Sequence, residues 1–401
     1  MSDPIEHDAS ISLPDDFVFG EVVEKRDLKR AELARASAGA PSLGPLSFFR
    51  GKWKGHGFNT IFRPDNPVTP TQFPIAPPPP PPPRDNVLEL NLTSEKLAFS
   101  PSLGSVPNRG SDPQGDIFLN GVPYLQTISD ISNPAKPVGI HVEPGIWMSV
   151  PPTAAPAEGP TLVRMGSIPH GTTIEAQGTF TPVANGPPNI AAVDITPFLT
   201  ANPATKIRFA SQTAATPNTP RIPQDLTPFI TAGTITQAIL DDPNTVLRNI
   251  ISHQKITATI TIVIATQPKL PLFGGGTDNI AFLLGDNSQP VPAKPNAQTV
   301  QMSAVFWIET VEQTITVPIF TPGQPPLLIK GAAAVPLQPV PTFSVTPPFE
   351  IKEPRQLKVT STQIQYSQLV FLNFATLTWP HCSVATLVPA SPVIVPSSAW
   401  S

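Results

Sequence analysis

The sequence predicts a mainly β protein, a barrel or a sandwich, with long proline-rich insertions and few short helices. Three observations carry that expectation. About a dozen short runs alternate apolar and polar residues with a period of two. The 56 prolines and 24 glycines punctuate these runs. No repeat of fixed period points instead to a propeller or a solenoid. Hydrophobic residues make up 40% of the chain, enough to bury a core, so the prolines belong in turns, edges and extended connections rather than in disorder.

The N-terminal arm, residues 1–42, contains one departure from the strand pattern. Between Asp15 and Ser37 charges are dense, and Val22, Val23, Leu28, Leu33 and Ala36 interrupt them at roughly helical spacing, which predicts a short amphipathic helix. From Leu43 to Phe58 large residues alternate with spaced glycines, the pattern of a first barrel strand with Trp53 filling the closed end. Pro77 to Pro83 is an uninterrupted proline run, read as a stiff spacer between two strands in preference to a ligand for a proline-binding module.

Ile256 to Ile264 is the clearest strand, with Ile and Ala on one face and Thr and Val on the other. Further strands are expected at Val87 to Leu92, Ile117 to Leu119, Tyr124 to Ile128, Gly139 to Val142, Ile146 to Val150, Thr173 to Phe180, Val300 to Trp307, Gln313 to Ile319, Leu357 to Ile364 and Val370 to Phe374. One internal helix is expected after Asp241-Asp242-Pro243, with Asp242 as N-cap, Pro243 at the first helical position and Val246, Leu247, Ile250 and Ile251 as its apolar stripe. Such a helix would plug or cover a barrel end. The barrel domain then spans residues 43–390, and 391–401 form a tail.

Composition excludes several classes of function. Only 13% of residues are charged and the formal net charge is −4, so there is no basic face for nucleic acid. Cys382 is the single cysteine, which rules out an intrachain disulfide framework and any CxxC metal site. Met1 to Leu13 carries acids and no apolar core of a signal peptide, and no run of 18 apolar residues occurs. A cytoplasmic protein without a transmembrane segment is therefore expected, and Asn91-Leu92-Thr93 is an incidental glycosylation match. Zinc-hydrolase, phosphate-loop, dinucleotide and GxSxG patterns are absent; Phe273 to Asp278 is glycine-rich but lacks a lysine.

Six histidines remain to be weighed. His7 lies in the arm and His253 closes the helix after Asp242. His141 and Glu143 share a face of an extended segment and suit a proton relay, the alternative being a strand-end histidine bonded to a neighbour. His170 sits between Pro169 and Gly171 in a tightly shaped segment, and His56 lies in the glycine-spaced first strand. His381 heads the last strand-like run. There Ser383, Ala385 and Leu387 face its way, and Cys382, Val384 and Thr386 face the other. Small Ser383 and Ala385 beside His381 would leave room for a flat macrocycle whose iron the imidazole ligates. Cys382 is then a filler, with thiolate ligation as the second choice.

Four segments resemble the nitrobindin family: Leu43-Gly44-Pro45-Leu46, the run Gly51 to Gly57, His141 to Trp147, and the closing His381 to Leu387. The resemblance implies a ten-stranded antiparallel barrel of nitrobindin and lipocalin type that binds b-type haem. The axial histidine of that family opens a C-terminal His-Leu-x-Ala-x-Leu pattern, corresponding here to His381, with Trp53, His56, Ser383 and Ala385 as further cofactor contacts. Over most of residues 43–390 the chain more closely resembles the FMP-type haem-binding peroxidases, through Asn108-Arg109-Gly110, Tyr124-Leu125-Gln126, Ser167 to Thr172 and Asp242 to Arg248. That resemblance implies peroxide reduction, with His170, His141 or His56 as base and Arg109 or Arg164 as donor. Haem and peroxide or a small gas are the implied partners, and a homo-oligomer is allowed. No Arg-x-x-x-His helix of the plant or fungal peroxidases is present, so turnover would follow from an open haem. Two other classes stay open: a non-enzymatic carrier of haem, fatty acid or another small apolar ligand, and a structural protein forming a large oligomer.

Overall fold

In the computed structural model, described for residues 11, 13–14, 17–20, 22, 40–285 and 296–400, ten strands run in chain order around a cylinder. They are β1 (Gly51–Pro64), β2 (Asn86–Phe99), β3 (Ile117–Asp130), β4 (Val138–Val150), β5 (Thr161–Ile168), β6 (Thr172–Phe180), β7 (Lys255–Ala265), β8 (Gln298–Val317), β9 (Arg355–Phe374) and β10 (Leu377–Pro389). Each pairs antiparallel with the next, and β10 pairs back on β1 from Trp53 opposite Pro389 to Thr60 opposite Cys382. The closed antiparallel barrel expected from the sequence is therefore present. Closure depends on two glycines. A Cβ on Gly55 would lie 1.9 Å from the Thr386 carbonyl oxygen, and one on Gly57 would lie 2.0 Å from that of Val384. Only glycine lets β1 approach β10 this closely.

Several expected strands prove to be halves of longer ones. β8 and β9 each run 20 residues and pair along nearly their whole length. β5 was not foreseen. The amphipathic helix placed between Asp15 and Ser37 lies outside the described residues. The proline run Pro77 to Pro83 falls in the connection between β1 and β2, as a spacer should, and carries no regular element.

The interior closes at one end with a plug. The sequence suggested that the first strand begins at Leu43, but Gly44–Phe48 is a 3-10 turn and the strand starts only at Gly51. The turn buries Leu46, and Phe49 follows it into the barrel, stacked on Phe99 at 5.0 Å and edge-on to Trp147 at 5.4 Å. Trp53 is buried in the same apolar cluster, at the closed end where it was expected.

The helices lie elsewhere. Four short ones occur among the described residues: α1 (Thr227–Thr231), α2 (Gln237–Asp241), α3 (Thr245–Ile251) and α4 (Ala281–Leu284). The expected helix after Asp242 is α3, with a different start: Asn244 is its N-cap, while Asp242 terminates α2 and ion-pairs with Arg248. It does not plug a barrel end. Leu247 packs with Phe58, Phe62, Trp379, Cys382 and Val384 in a second core on the outer wall, which the connection between β6 and β7 wraps. A third core lies under a small sheet of Leu327–Lys330, Thr342–Val345 and Val393–Ile394, packed on the extensions of β8 and β9.

Candidate functional site

Antiparallel order assigns every loop to an end of the barrel. The plug precedes β1, so the connections after β1, β3, β5, β7 and β9 gather at the opposite end, the mouth. His170 lies in the β5–β6 turn, His141 is the fourth residue of β4 and His381 the fifth of β10, so chain topology brings all three to the mouth. The charges of His141 and His170 both act on the His381 ring.

His381 shares a face with Ser383, Ala385 and Leu387, as strand alternation predicted, and that face is the inward one. Ala385 and Leu387 of the same face belong to the interior core, while Cys382 and Val384 belong to the outer-wall core. The His381 Nδ1 lies 3.1 Å from the Thr60 carbonyl oxygen. A carbonyl only accepts, so Nδ1 carries the proton and Nε2 keeps its lone pair. Burial pushes the His381 pKa down to about 4, against the opposing pull of the Thr60 carbonyl, and the neighbouring histidines add to the depression. The ring is therefore a neutral donor with a fixed tautomer. Beside it, Asn59 donates to Ser383 Oγ at 2.8 Å and Asn91 donates to Asn59 Oδ1 at 3.2 Å.

Beneath the mouth lies a polar layer that sequence reasoning largely missed. Arg164 Nη2 is 2.7 Å from Glu143 Oε1, its Nε donates to the Tyr124 hydroxyl at 3.0 Å, and its Nη1 donates to Gln368 Oε1 at 2.7 Å. Tyr124 donates a further bond to Glu143. The guanidinium also sits 5.8 Å from the Trp147 ring and 5.7 Å from Phe306. Burial alone would raise the Glu143 pKa, but Arg164 and His141 outweigh it and hold the carboxyl down at about 2. His141 reaches this layer from the mouth, its Nε2 3.3 Å from Glu143 Oε2. The sequence pairing of His141 with Glu143 is thus present in space.

Glu95 is the second carboxyl of the layer. It accepts from Tyr366 at 2.7 Å, from Gln126 at 3.3 Å and from Thr93 at 3.3 Å, all neutral donors. With no cation bonded to it, burial pushes its pKa up to about 7. The inward alternation Thr93, Glu95, Leu97 was the available signal. It was overlooked because a charged residue in a strand reads first as a solvent-facing one.

Other candidates lie apart from the mouth. Arg109 follows a short strand paired to the start of β3, hence at the plug end, where it is exposed and ion-paired with Asp116 at 2.5 Å. His56 alternates with the inward Gly55 and Gly57 and faces the outer wall, its Nδ1 buried without a hydrogen-bond partner. Trp53 belongs to the plug cluster. His170 is exposed, with Nε2 3.4 Å from the Ile140 carbonyl oxygen. Among the described residues no three His, Cys, Asp or Glu side chains converge on a metal position.

A void between the plug and the polar layer, lined by Phe49, Tyr124, Arg164, Phe306 and Tyr366 among others, measures about 10 Å³. An open trough of about 580 Å³ lies over Ile146, Met165 and Glu175 on the outer wall, and His381 is not part of its lining. No helix of the described residues is long and apolar enough to cross a membrane. Compared with protein families, with curated proteins and with solved structures, the chain matches none.

Proposed function

We propose that the barrel binds one b-type haem at its mouth, with His381 Nε2 as the iron ligand, and reduces peroxide there. The single observation that carries the reading is the Nδ1–H to Thr60 carbonyl bond. A second partner that fixes the tautomer and orients the ring is the usual support of a metal-binding histidine. The donor chemistry therefore fits. The space between the plug and the polar layer does not offer room for a macrocycle, since the void there holds at most a single water, so the reading is confined to the mouth.

When bound, haem supplies an iron that takes peroxide or a small gas. The chain's own part is to hold His381 neutral and oriented and to manage protons. His141, with Glu143 fixing it from below, can take a proton at its ring and return it. His170 is the second mouth histidine. Arg164 spends its donors on Glu143, Tyr124 and Gln368, so it holds the relay in place. Arg109, at the plug end, has no part in this reading.

The alternative is a carrier without turnover. A fatty acid lying between the plug and the polar layer is disfavoured by the same small void, because ligand cavities of that kind run to hundreds of Å³. Haemin titration followed by absorbance tests the reading. A Soret band saturating at one haem per chain in the wild type and failing to saturate in His381→Ala is expected; equal, unsaturable uptake by both proteins would overturn it.

A further inference from the structure

The outer wall carries a cleft that the mouth chemistry does not use. It lies between β1–β2 and helices α2 and α3, is half enclosed, and measures about 240 Å³. Phe58 and Leu92 form its floor, and Ile239 and Ile250 its side. All four are buried, and Phe58, Leu92 and Ile239 belong to the outer-wall core, so the surface is fixed by packing.

The roof is a pinned loop. Gln338 Oε1 accepts from the Ala334 N–H at 2.7 Å and from the Val335 N–H at 3.4 Å, and the Gln338 N–H donates to the Val335 carbonyl. Within this loop Leu337 adopts φ 59°, a left-handed conformation that leucine rarely takes. The loop thereby holds Leu337 over the cleft and against the outer-wall core. Strain held in place by side-chain bonds is a feature that gathers at ligand clamps.

Polar side chains without a protein partner occur on one rim only, since Thr234, also in the lining, donates to the Phe229 carbonyl. Asn249 and His253, four residues apart at the end of α3, share a side of that turn, and neither side chain has a hydrogen-bond partner among the described residues. No Lys or Arg side chain is part of the lining, and Arg248 on the same helix is already paired with Asp242, so the cleft favours a neutral ligand over a carboxylate. The volume is below that of drug-sized pockets and suits about ten non-hydrogen atoms. A rigid ring loses less conformational freedom on binding than an alkyl chain of equal size.

We propose that this cleft binds a small neutral ring compound with one hydroxyl, of the alkylphenol class, its ring over Phe58, Leu92 and Ile250 and its hydroxyl on Asn249. The site is independent of the mouth. Saturation-transfer NMR with 4-ethylphenol as probe tests it on the full chain. Saturable binding is expected with a dissociation constant of about 0.1–1 mM. Asn249→Ala, an exposed change that leaves the core intact, weakens binding about 3- to 10-fold. Val246→Trp fills the cleft from its rim and abolishes binding, and His381→Ala changes nothing. Absence of saturation in the wild type, or binding unaltered by both Asn249→Ala and Val246→Trp, would overturn the proposal.

Discussion

Arg164 and Glu143 form an ion pair with almost no exposure, and the consequence of breaking it differs from that of removing it whole. Arg164→Met strands a buried carboxylate and is expected to cost about 3–5 kcal/mol in urea unfolding, whereas adding Glu143→Gln in the same chain recovers part of the loss. Additive losses in the double variant would contradict the pairing.

The two carboxyls of the layer also respond to pH in opposite senses. Glu143, held near 2, contributes stability that is full above the ordinary value of 4.5 and is lost as pH falls toward 2. Glu95, raised from 4.5 to about 7, is neutral in the folded protein at low pH. Its contribution is full below 4.5 and is lost as pH rises through 7, by about 3 kcal/mol once it must ionise. Glu95→Gln should therefore match the wild type in unfolding free energy near pH 4.5 and exceed it at pH 9. Parallel pH profiles would remove Glu95 from this role. At this scale the sequence was legible where alternation decides, as for His381, Ser383 and Ala385. Glu95 had a signal in its own strand, but its pairing with Tyr366 and Gln126 was not legible, because strands far apart in the chain bring these residues together.

Among the elements, β1 shows how a strand can be readable in pattern and yet depend on contacts the pattern does not name. Its spaced glycines were legible, but their purpose, the approach to carbonyls of β10, required the register of the closed barrel. Gly57→Val is expected to destabilise the fold by about 3 kcal/mol or more and to strip amide-exchange protection from β1 and β10 together. Ordinary protection along β10 in that variant would show that closure does not rest on Gly57.

Strand lengths were underread. Residues near the middle of β8 and β9 interrupt the simple alternation, yet the 20-residue pairing between these strands carries the ladder through them. The start of α3 was misplaced by the Asp242-Pro243 signal because Asp242 is occupied by Arg248 and by the backbone of Val193 and Asn244. Trp379, stacked on Phe374 at 4.7 Å and on Phe209 at 5.4 Å, joins the β9–β10 end to the long β6–β7 insertion. Trp379→Ala should cost about 3–5 kcal/mol in urea unfolding.

The whole molecule is a barrel with three separate apolar clusters: the plugged interior, the outer wall under the β6–β7 insertion, and the small sheet on the β8–β9 extension. The polar layer separates the plug from the mouth, where His381 lies, by a fixed set of hydrogen bonds. The β class was legible from alternation and punctuation, whereas the same runs suit a sandwich as well as a closed barrel. The insertions were not legible, because their order comes from contacts such as Arg221, whose guanidinium donates to the carbonyls of Ser211, Thr213, Thr216, Pro223 and Gln224 and so gathers one stretch of irregular chain.

The central claim is that His381 Nε2 is a ligand to haem iron, and the most direct test is chemical replacement of that ring. His381→Gly loaded with haemin should lack the wild-type Soret band and regain it when free imidazole is added at millimolar concentration. A wild-type band already present in His381→Gly before imidazole, or no saturable band in the wild type itself, would contradict the account.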